Sequence, residues 1–214
     1  MTMARTSLGR AVRAAGLGAG VGPGVVADAP ETAASRSAKR VAAVAMVLRH
    51  GEDGALEVLF MQRATREDDP WSGQMAFPGG HVDADDPSVE AAARRETLEE
   101  VGLALTPEML LGRLSDVVGG RLRTFELAVC PLVYYCPDPG ELVHNHEVSA
   151  TVWVPLAYLG DGRNISSYYY EQQAFSGFSY GPYTIWGLTY RILAQFMGIF
   201  GIALPTAWPM TQGE

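Results

Sequence analysis

Three glutamates within one short stretch carry the strongest chemical signal in the chain. Glu96, Glu99 and Glu100 are spaced i, i+3 and i+4, so on a helix they fall within an arc of roughly 100° on one face. Carboxylates packed this closely repel one another, and the arrangement costs stability unless cations occupy it. Because oxygen ligands of this kind suit hard ions, the pattern predicts a site for Mg²⁺ or Mn²⁺.

A helix has to present these carboxylates, and the sequence predicts one over residues 87–101. Asp86 is a favourable N-cap residue, and Pro87 fits the first helical position because a missing N–H costs nothing there. Gly102 suits the left-handed residue that ends a helix. The side chains expected to face the core are Ala91, Leu98 and Val101.

Arg95 is the basic residue placed to organise these acids. It precedes Glu99 by four residues, within side-chain reach on a helix, and is predicted to hold that carboxylate in place. Taken alone, the same string also describes a solvated helix with ordinary surface ion pairs. The glycine-rich segment 77–80 just upstream and Gly102 just downstream favour the functional interpretation.

The stretch from Gly80 to Leu103 resembles the signature of the Nudix hydrolase family, G-x5-E-x7-R-E-U-x-E-E-x-G-U, where U is apolar. Asp86 stands where the family usually has Glu, eight residues separate it from Arg95 instead of seven, and Thr97 replaces an apolar residue. The role of Asp86 as an outer metal ligand is therefore left open. The matching positions are Gly80, Arg95, Glu96, Glu99, Glu100, Gly102 and Leu103.

The spacing around this signature is similar to one branch of the family, the coenzyme A diphosphatases. Residues 77–86 read Phe-Pro-Gly-Gly-His-Val-Asp-Ala-Asp-Asp, which resembles that branch's F-P-G-G-x-x-D-x-x-D. Weaker similarities lie upstream at residues 62–63 and 71–74 and downstream at 146–148, 153–156 and 186–189. The resemblance covers roughly residues 41–195.

The resemblance implies an α/β (α+β) Nudix fold, a mixed β-sheet between helices with a loop–helix–loop box. It also implies metal-dependent hydrolysis of a phosphoanhydride bond in a nucleoside diphosphate derivative. In the coenzyme A branch the products are 4′-phosphopantetheine and 3′,5′-ADP. The alternatives are cleavage of ADP-ribose, NADH or an oxidised dNTP, or a non-catalytic module that senses a nucleotide.

The resemblance also assigns roles to individual residues. Glu147, in a loop outside the box, is the expected general base or a further ligand, with an ordinary surface Glu as the alternative, and His144 and His146 beside it are alternative bases. The expected metal ligands are Glu96, Glu99, Glu100 and the carbonyl of Gly79. The other expected catalytic groups are Glu99, Glu100 and Arg95. The expected substrate-binding residues are Arg63, Gln74 and Gly80, with a surface ion pair as the alternative for Arg63.

The charge of the chain excludes some partners. The 214 residues carry a net charge of 16 − 24 = −8, of which residues 1–40 contribute 6 − 2 = +4 and the remaining 174 contribute 10 − 22 = −12. A body this acidic repels phosphate backbones, so a broad nucleic-acid surface is not expected. A small nucleotide substrate needs metal ions between its phosphates and these carboxylates. Cys130 and Cys136 are predicted to be free thiols in a reducing, cytoplasmic setting.

Length and composition indicate one domain with tails. We expect a tail over residues 1–38, either an Arg-rich targeting peptide or a disordered or over-extended start, a Nudix domain over 39–205, and a C-terminal tail over 206–214. No apolar run is long enough for a convincing membrane span, and residues 192–204 are expected to form a buried helix. A homodimer is compatible with the family resemblance, although no periodicity indicates one.

The remaining elements follow from hydrophobic patterning. Residues 41–48 form a continuous apolar run typical of a strand buried on both faces, joined to a second strand through a turn at 51–54. The aromatic stretch 168–186 is expected to be a hairpin or helix packed on the core, with adenine stacking as the alternative. The other predicted strands are 56–62, 110–118, 125–135 and 151–154, and a last helix is predicted over 185–200.

Overall fold

The computed structural model describes residues 40–67, 71–119, 127–170 and 173–205; the predicted tails, 1–38 and 206–214, lie outside these residues. The strands are β1 (Arg40–His50), β2 (Leu56–Arg63), β3 (Met75–Ala76), β4 (Gly79–His81), β5 (Leu110–Arg113), β6 (Val117–Gly119), β7 (Leu127–Tyr135), β8 (Val148–Pro155), β9 (Ile165–Tyr170), β10 (Gln173–Tyr180) and β11 (Tyr183–Trp186). The α-helices are α1 (Val89–Val101), α2 (Leu156–Leu159) and α3 (Gly187–Ile199), and 3₁₀ turns cover Pro107–Met109 and Gly162–Asn164.

Strand β1 lies at the centre of the larger sheet. On one side it pairs in parallel with β7, and on the other it pairs antiparallel with β2 near its end and with β4 near its start. The strand order is β3-β2-β1-β7-β5, while β6 pairs with β7 and β8 pairs with β2. The sheet is therefore mixed, as the predicted fold class requires.

The two faces of β1 support two separate hydrophobic cores. Ala43, Ala45 and Val47 face a core shared with α1, whereas Met46 and Leu48 face a core shared with α3. The prediction of a strand buried on both faces is confirmed, and the sheet lies between α1 and α3. The main α3 contributors to its core are Ile192, Leu193, Phe196 and Met197.

A smaller antiparallel sheet, in the order β11-β10-β9, contains the aromatic stretch. Phe178 and Ile185 of this sheet join the core beside α3. A second aromatic group surrounds Trp186, whose ring centroid lies 4.5 Å from that of Tyr168 and 5.4 Å from that of Phe175. The expected hairpin packed on the core is confirmed.

Several predicted elements have different bounds in the structure. The strand predicted over 110–118 is two strands, β5 and β6, and Arg113 and Asp116 form an ion pair of 2.6 Å across the break. The helix predicted over 185–200 begins at Gly187, because Ile185 and Trp186 still pair with β10. The strand predicted over 151–154 extends at both ends to pair with β2. The buried helix predicted over residues 192–204 is the later part of α3 and ends at Ile199, so its predicted C-terminal bound is wrong.

The predicted turn and the predicted free thiols are confirmed. The turn at 51–54 closes through hydrogen bonds from Gly51 N to Ala55 O and from Gly54 N to Gly51 O. Cys130 and Cys136 are both buried free thiols. Within the ranges described, no helix has the length and apolar character needed to cross a membrane.

We expect Phe77→Ala to lower the free energy of unfolding by about 3–5 kcal/mol, since it leaves a cavity in the core beside α3. Phe77 is fully buried and stacks on Phe60 with ring centroids 5.0 Å apart. Urea unfolding followed by fluorescence measures the change. Tyr169→Ala is the matched control, because Tyr169 is 72% exposed; an equal loss in both variants would contradict the assigned core.

Candidate functional site

Residues 77–80 place Gly79 and Gly80 beside the helix that carries the glutamates. Pro78 O accepts a hydrogen bond from Ala45 N of β1 at 2.8 Å. Gly79 pairs with Val44 and donates its N–H to Oε2 of Glu100 at 2.7 Å. Gly79 has φ of +146°, and a Cβ there would lie 2.3 Å from Ala43 O. Only glycine fits this close passage between β1 and the helix.

Helix α1 begins later than predicted. Its N-cap is Ser88, whose Oγ accepts a hydrogen bond from Ala91 N at 3.1 Å, so the assignments of Asp86 as N-cap and Pro87 as the first helical residue are wrong. Both Ser and Asp are strong N-cap types. The Asp86 carboxylate accepts instead from the guanidinium of Arg95. The C-terminal prediction is confirmed, because Gly102 is left-handed with φ of 70°.

The buried face of α1 also differs from the expected one. Glu100 is only 2% exposed, whereas Leu98 is 52% exposed. The three carboxylates therefore span the helix from its core side to its solvent side, with Glu99 the most exposed at 55% of its side chain. Thr97 occupies the apolar position of the signature, and its hydroxyl donates to Ala93 O at 2.7 Å, so it is buried without an unsatisfied donor.

Arg95 links the acids of the loop to the acids of the helix. Its guanidinium donates to both carboxylate oxygens of Asp86, at 3.1 and 2.8 Å, and to Glu96 Oε1 at 2.8 Å. Glu99 lies 3.4 Å away, which places it within the predicted reach. The ion pair lowers the pKa of Asp86 and raises that of Arg95. The extra residue before α1 therefore does not prevent Asp86 from reaching Arg95.

Glu96 and Glu100 are the carboxylates most removed from water. Burial raises the pKa of Glu96 despite its hydrogen bond from Arg95. Burial also raises the pKa of Glu100 to about 8, opposed by the Gly79 N–H and reinforced by the charges of Glu96 and Glu147. A nearby cation would relieve both effects, because it favours the ionised forms.

The donor set suits a hard divalent cation in chemistry, since all three side chains supply carboxylate oxygens. Glu96 lies against Gly80, where a Cβ would be 2.5 Å from the glutamate Cδ, and Glu100 lies against Gly79. Glu99 is drawn toward Arg95. Across the described ranges no three acidic, His or Cys side chains converge as a ready metal site. The metal ligands and the Gly79 carbonyl stay predictions.

The loop before β8 places Glu147 beside α1. Asn145 N donates to the Glu100 carbonyl at 3.1 Å, and Asn145 Oδ1 accepts from Glu147 N at 2.7 Å. The Glu147 side chain accepts a hydrogen bond from Arg66 Nη1 at 3.1 Å. The negative charge of Glu147 also raises the pKa of the buried Glu100 carboxylate.

The other predicted residues surround this loop. Arg63 N donates to Gln74 O at 3.0 Å, and the charge of Arg63 lowers the pKa of Glu100. His144 bonds to Thr151 Oγ1 at 2.9 Å, while His146 is largely exposed. The substrate-binding roles of Arg63, Gln74 and Gly80 and the base role of Glu147 stay predictions.

Sequence reasoning missed Ser88, Asn145 and Arg66. Ser88 carried a detectable signal, because it is a strong N-cap type just before the helical stretch. Arg66 carried none, since it lies 81 residues from its partner Glu147, and the bond from Asn145 N to the Glu100 carbonyl also joins two distant segments.

Comparison with known proteins gives a consistent result. A family profile described as NUDIX domain matches residues 39–173. The Nudix hydrolase NudL of Photorhabdus laumondii is 36% identical over 135 residues, which cover 58% of this chain and 67% of that protein. The mitochondrial coenzyme A diphosphatase NUDT8 of Homo sapiens is 32% identical over 152 residues, covering 67% of this chain and 62% of that protein. The chain thus spans about two thirds of these relatives.

Among solved structures, a MutT/nudix family protein from Enterococcus faecalis is 18% identical with a TM-score of 0.49. That alignment covers 75% of this chain and 54% of the other.

We expect Gly79→Ala to reduce stability and Gly80→Ala to weaken metal binding. At Gly79 the new Cβ meets the backbone of Ala43, so the free energy of unfolding should fall by about 3 kcal/mol or more. At Gly80 its nearest neighbours belong to the Glu96 carboxylate, the end of a flexible side chain, so the fold should persist while Mn²⁺ binding weakens at least about tenfold. Urea unfolding and Mn²⁺ titration measure both. Gly198→Ala, with open space at its Cβ, is the control.

We expect the metal-free protein to lose stability as the pH rises from about 4.5 to 8. The pKa of Glu100 is raised to about 8, so the folded protein keeps a proton that the unfolded chain releases. The loss attributable to this group is roughly 3–5 kcal/mol, complete near pH 8. Urea unfolding with a chelator at several pH values measures it. If Glu100→Gln shows the same pH slope as the wild-type protein, this assignment is wrong.

Proposed function

The chain belongs to the Nudix hydrolase family, and from this premise we propose that it is a diphosphatase that cleaves coenzyme A or its acyl derivatives. The products would be 4′-phosphopantetheine and 3′,5′-ADP. The observation that carries the reaction class is the carboxylate set of α1, linked through Arg95 to the loop and through Glu100 to Gly79. Residues 39–205 are the proposed catalytic domain.

The substrate assignment rests on two supports. The spacing of residues 77–86 is similar to the coenzyme A branch, and one relative at 32% identity is named a mitochondrial coenzyme A diphosphatase. ADP-ribose, NADH and oxidised dNTPs share the diphosphate chemistry and are the alternatives. A purely nucleotide-sensing module is disfavoured, because Glu96, Glu99 and Glu100 are all present with Arg95.

Nudix hydrolases generally depend on divalent metals, and we propose Mg²⁺ or Mn²⁺ here. Glu96, Glu99, Glu100 and the carbonyl of Gly79 would hold the metal. When bound, such an ion neutralises phosphate charge and lowers the pKa of a coordinated water.

The side chains of the protein supply orientation and proton transfer. Arg95 fixes Glu96 through a 2.8 Å hydrogen bond and anchors itself on Asp86. The Gly79 N–H fixes one oxygen of Glu100 and leaves the other available. Glu147 would accept the proton of the attacking water as a general base, since carboxylates within hydrogen-bond reach can do so. Arg63 and Gln74 would contact the substrate, and the guanidinium suits a phosphate oxygen pair.

We expect the purified protein with Mg²⁺ or Mn²⁺ to release 3′,5′-ADP and 4′-phosphopantetheine from coenzyme A. Glu99→Gln should lower kcat by at least about 100-fold, because one carboxylate ligand is lost without a change in shape. Mass spectrometry of the products measures both. Glu90→Gln is the matched control on the same helix, since Glu90 pairs with Arg94 and not with the site.

The same assay separates the alternatives when ADP-ribose, NADH, diadenosine polyphosphates and dNTPs are included. Preferred cleavage of one of these would retain the reaction class and reject the coenzyme A assignment. Absence of any cleavage would support the sensing module and contradict the proposed activity.

A further inference from the structure

We propose that Arg66 binds the diphosphate of the substrate and thereby releases Glu147. This inference rests on the proposed function, because it assigns a partner to a substrate anion at the same site. In the protein as described, Arg66 Nη1 donates to Glu147 Oε1 at 3.1 Å. A carboxylate held in this way has one of its two oxygens engaged.

The ion pair is accessible and weak. The side chain of Arg66 is 42% exposed and that of Glu147 is 36% exposed. Exposed ion pairs of this kind contribute little, because water solvates both partners when they separate. An incoming anion can therefore displace Glu147 from the guanidinium without a large cost.

The backbones that carry the pair are held in place. Ala64 N donates to the carbonyl of Glu147 at 2.7 Å. Arg66 N donates to Ser72 Oγ at 2.8 Å, and Glu147 N donates to Asn145 Oδ1 at 2.7 Å. The exchange thus requires only side-chain rotation, with the two segments fixed relative to each other.

Arg66 is better suited to this exchange than Arg95. Arg95 contacts the carboxylates of Asp86, Glu96 and Glu99, so moving it would dismantle the acidic site. Arg66 contacts a single carboxylate among the described residues. A guanidinium binds two phosphate oxygens side by side, and two such paired hydrogen bonds are stronger than a single hydrogen bond to a carboxylate.

The position of Glu147 gives the exchange a consequence. Asn145 N donates to the carbonyl of Glu100 and so fixes the loop beside α1. The charge of Glu147 in this loop raises the pKa of the Glu100 carboxylate. When an N–H of Arg66 passes from Glu147 Oε1 to a phosphate oxygen, only hydrogen bonds are exchanged. Glu147 is then available beside the acidic site at the moment a substrate is present.

Binding of ADP in the presence of Mg²⁺, measured by isothermal titration calorimetry, tests the exchange. Arg66→Ala should raise the Kd about tenfold, because a charge-assisted hydrogen bond is lost. Arg66→Lys keeps the charge but loses the forked pair of donors, so its Kd should lie between those of the wild-type protein and Arg66→Ala. Glu147→Gln should lower the Kd several-fold, since it frees Arg66 in advance.

The double variant decides between this exchange and a general charge effect. If Glu147 acts through Arg66, the tightening caused by Glu147→Gln disappears in the Arg66→Ala background. Glu141→Gln removes the same charge from the preceding exposed loop and should leave the Kd unchanged. Equal tightening in both backgrounds, or an unchanged Kd in Arg66→Ala, would overturn the inference.

The outcome for the wild-type protein separates the two proposals. Wild-type protein that cleaves coenzyme A, with an Arg66→Ala variant of unaltered ADP affinity and KM, would overturn the role of Arg66 alone. Wild-type protein that neither binds ADP nor cleaves any diphosphate would overturn the proposed function and this inference together. Thermal melting of each variant shows whether its fold is intact.

Discussion

The close approach of helix α1 to strand β4 is the constraint on which the site depends. A Cβ at position 80 would lie 2.5 Å from Cδ of Glu96, and a Cβ at position 79 would lie 2.3 Å from Ala43 O of β1. The same approach brings the Glu100 carboxylate within hydrogen-bond distance of the Gly79 N–H. A buried carboxylate is costly unless it is hydrogen-bonded. The two glycines thus permit the close approach that this hydrogen bond needs. Strand β4 is held in place by antiparallel pairing with β1, which pairs in parallel with β7.

The second constraint on the site is the compensation of its clustered negative charges. The body of the chain is strongly acidic, and Arg95 pairs with the site acids Asp86, Glu96 and Glu99. This cation orients the carboxylates without neutralising Glu100, which stays buried and reluctant to ionise. A further cation at this site would favour the ionised form of Glu100 and offset the cost of burying its charge.

Much of this organisation is readable from the sequence, and the remainder depends on contacts that sequence patterns do not encode. Periodicity locates β1, the box helix and its Gly102 end. It places Glu100 on the wrong face, because the helix buries the polar residues Thr97 and Glu100 while exposing Leu98. A buried carboxylate breaks the hydrophobic pattern. The pairing of Arg66 with Glu147 joins distant segments, so local spacing gives no sign of it.

The parallel pairing of β1 with β7 also bears on how the chain acquires its fold. Every paired position along these strands, from Arg40 with Leu127 to Leu48 with Tyr135, is separated by 127 − 40 = 87 residues. Such long-range pairing is slow, because loop closure must precede any gain from contact. During synthesis β1 leaves the ribosome well before β7 exists, and its apolar edge stays open to misassociation. The yield of folded protein is therefore expected to depend on chaperones and on the rate of translation, because β1 must wait for β7.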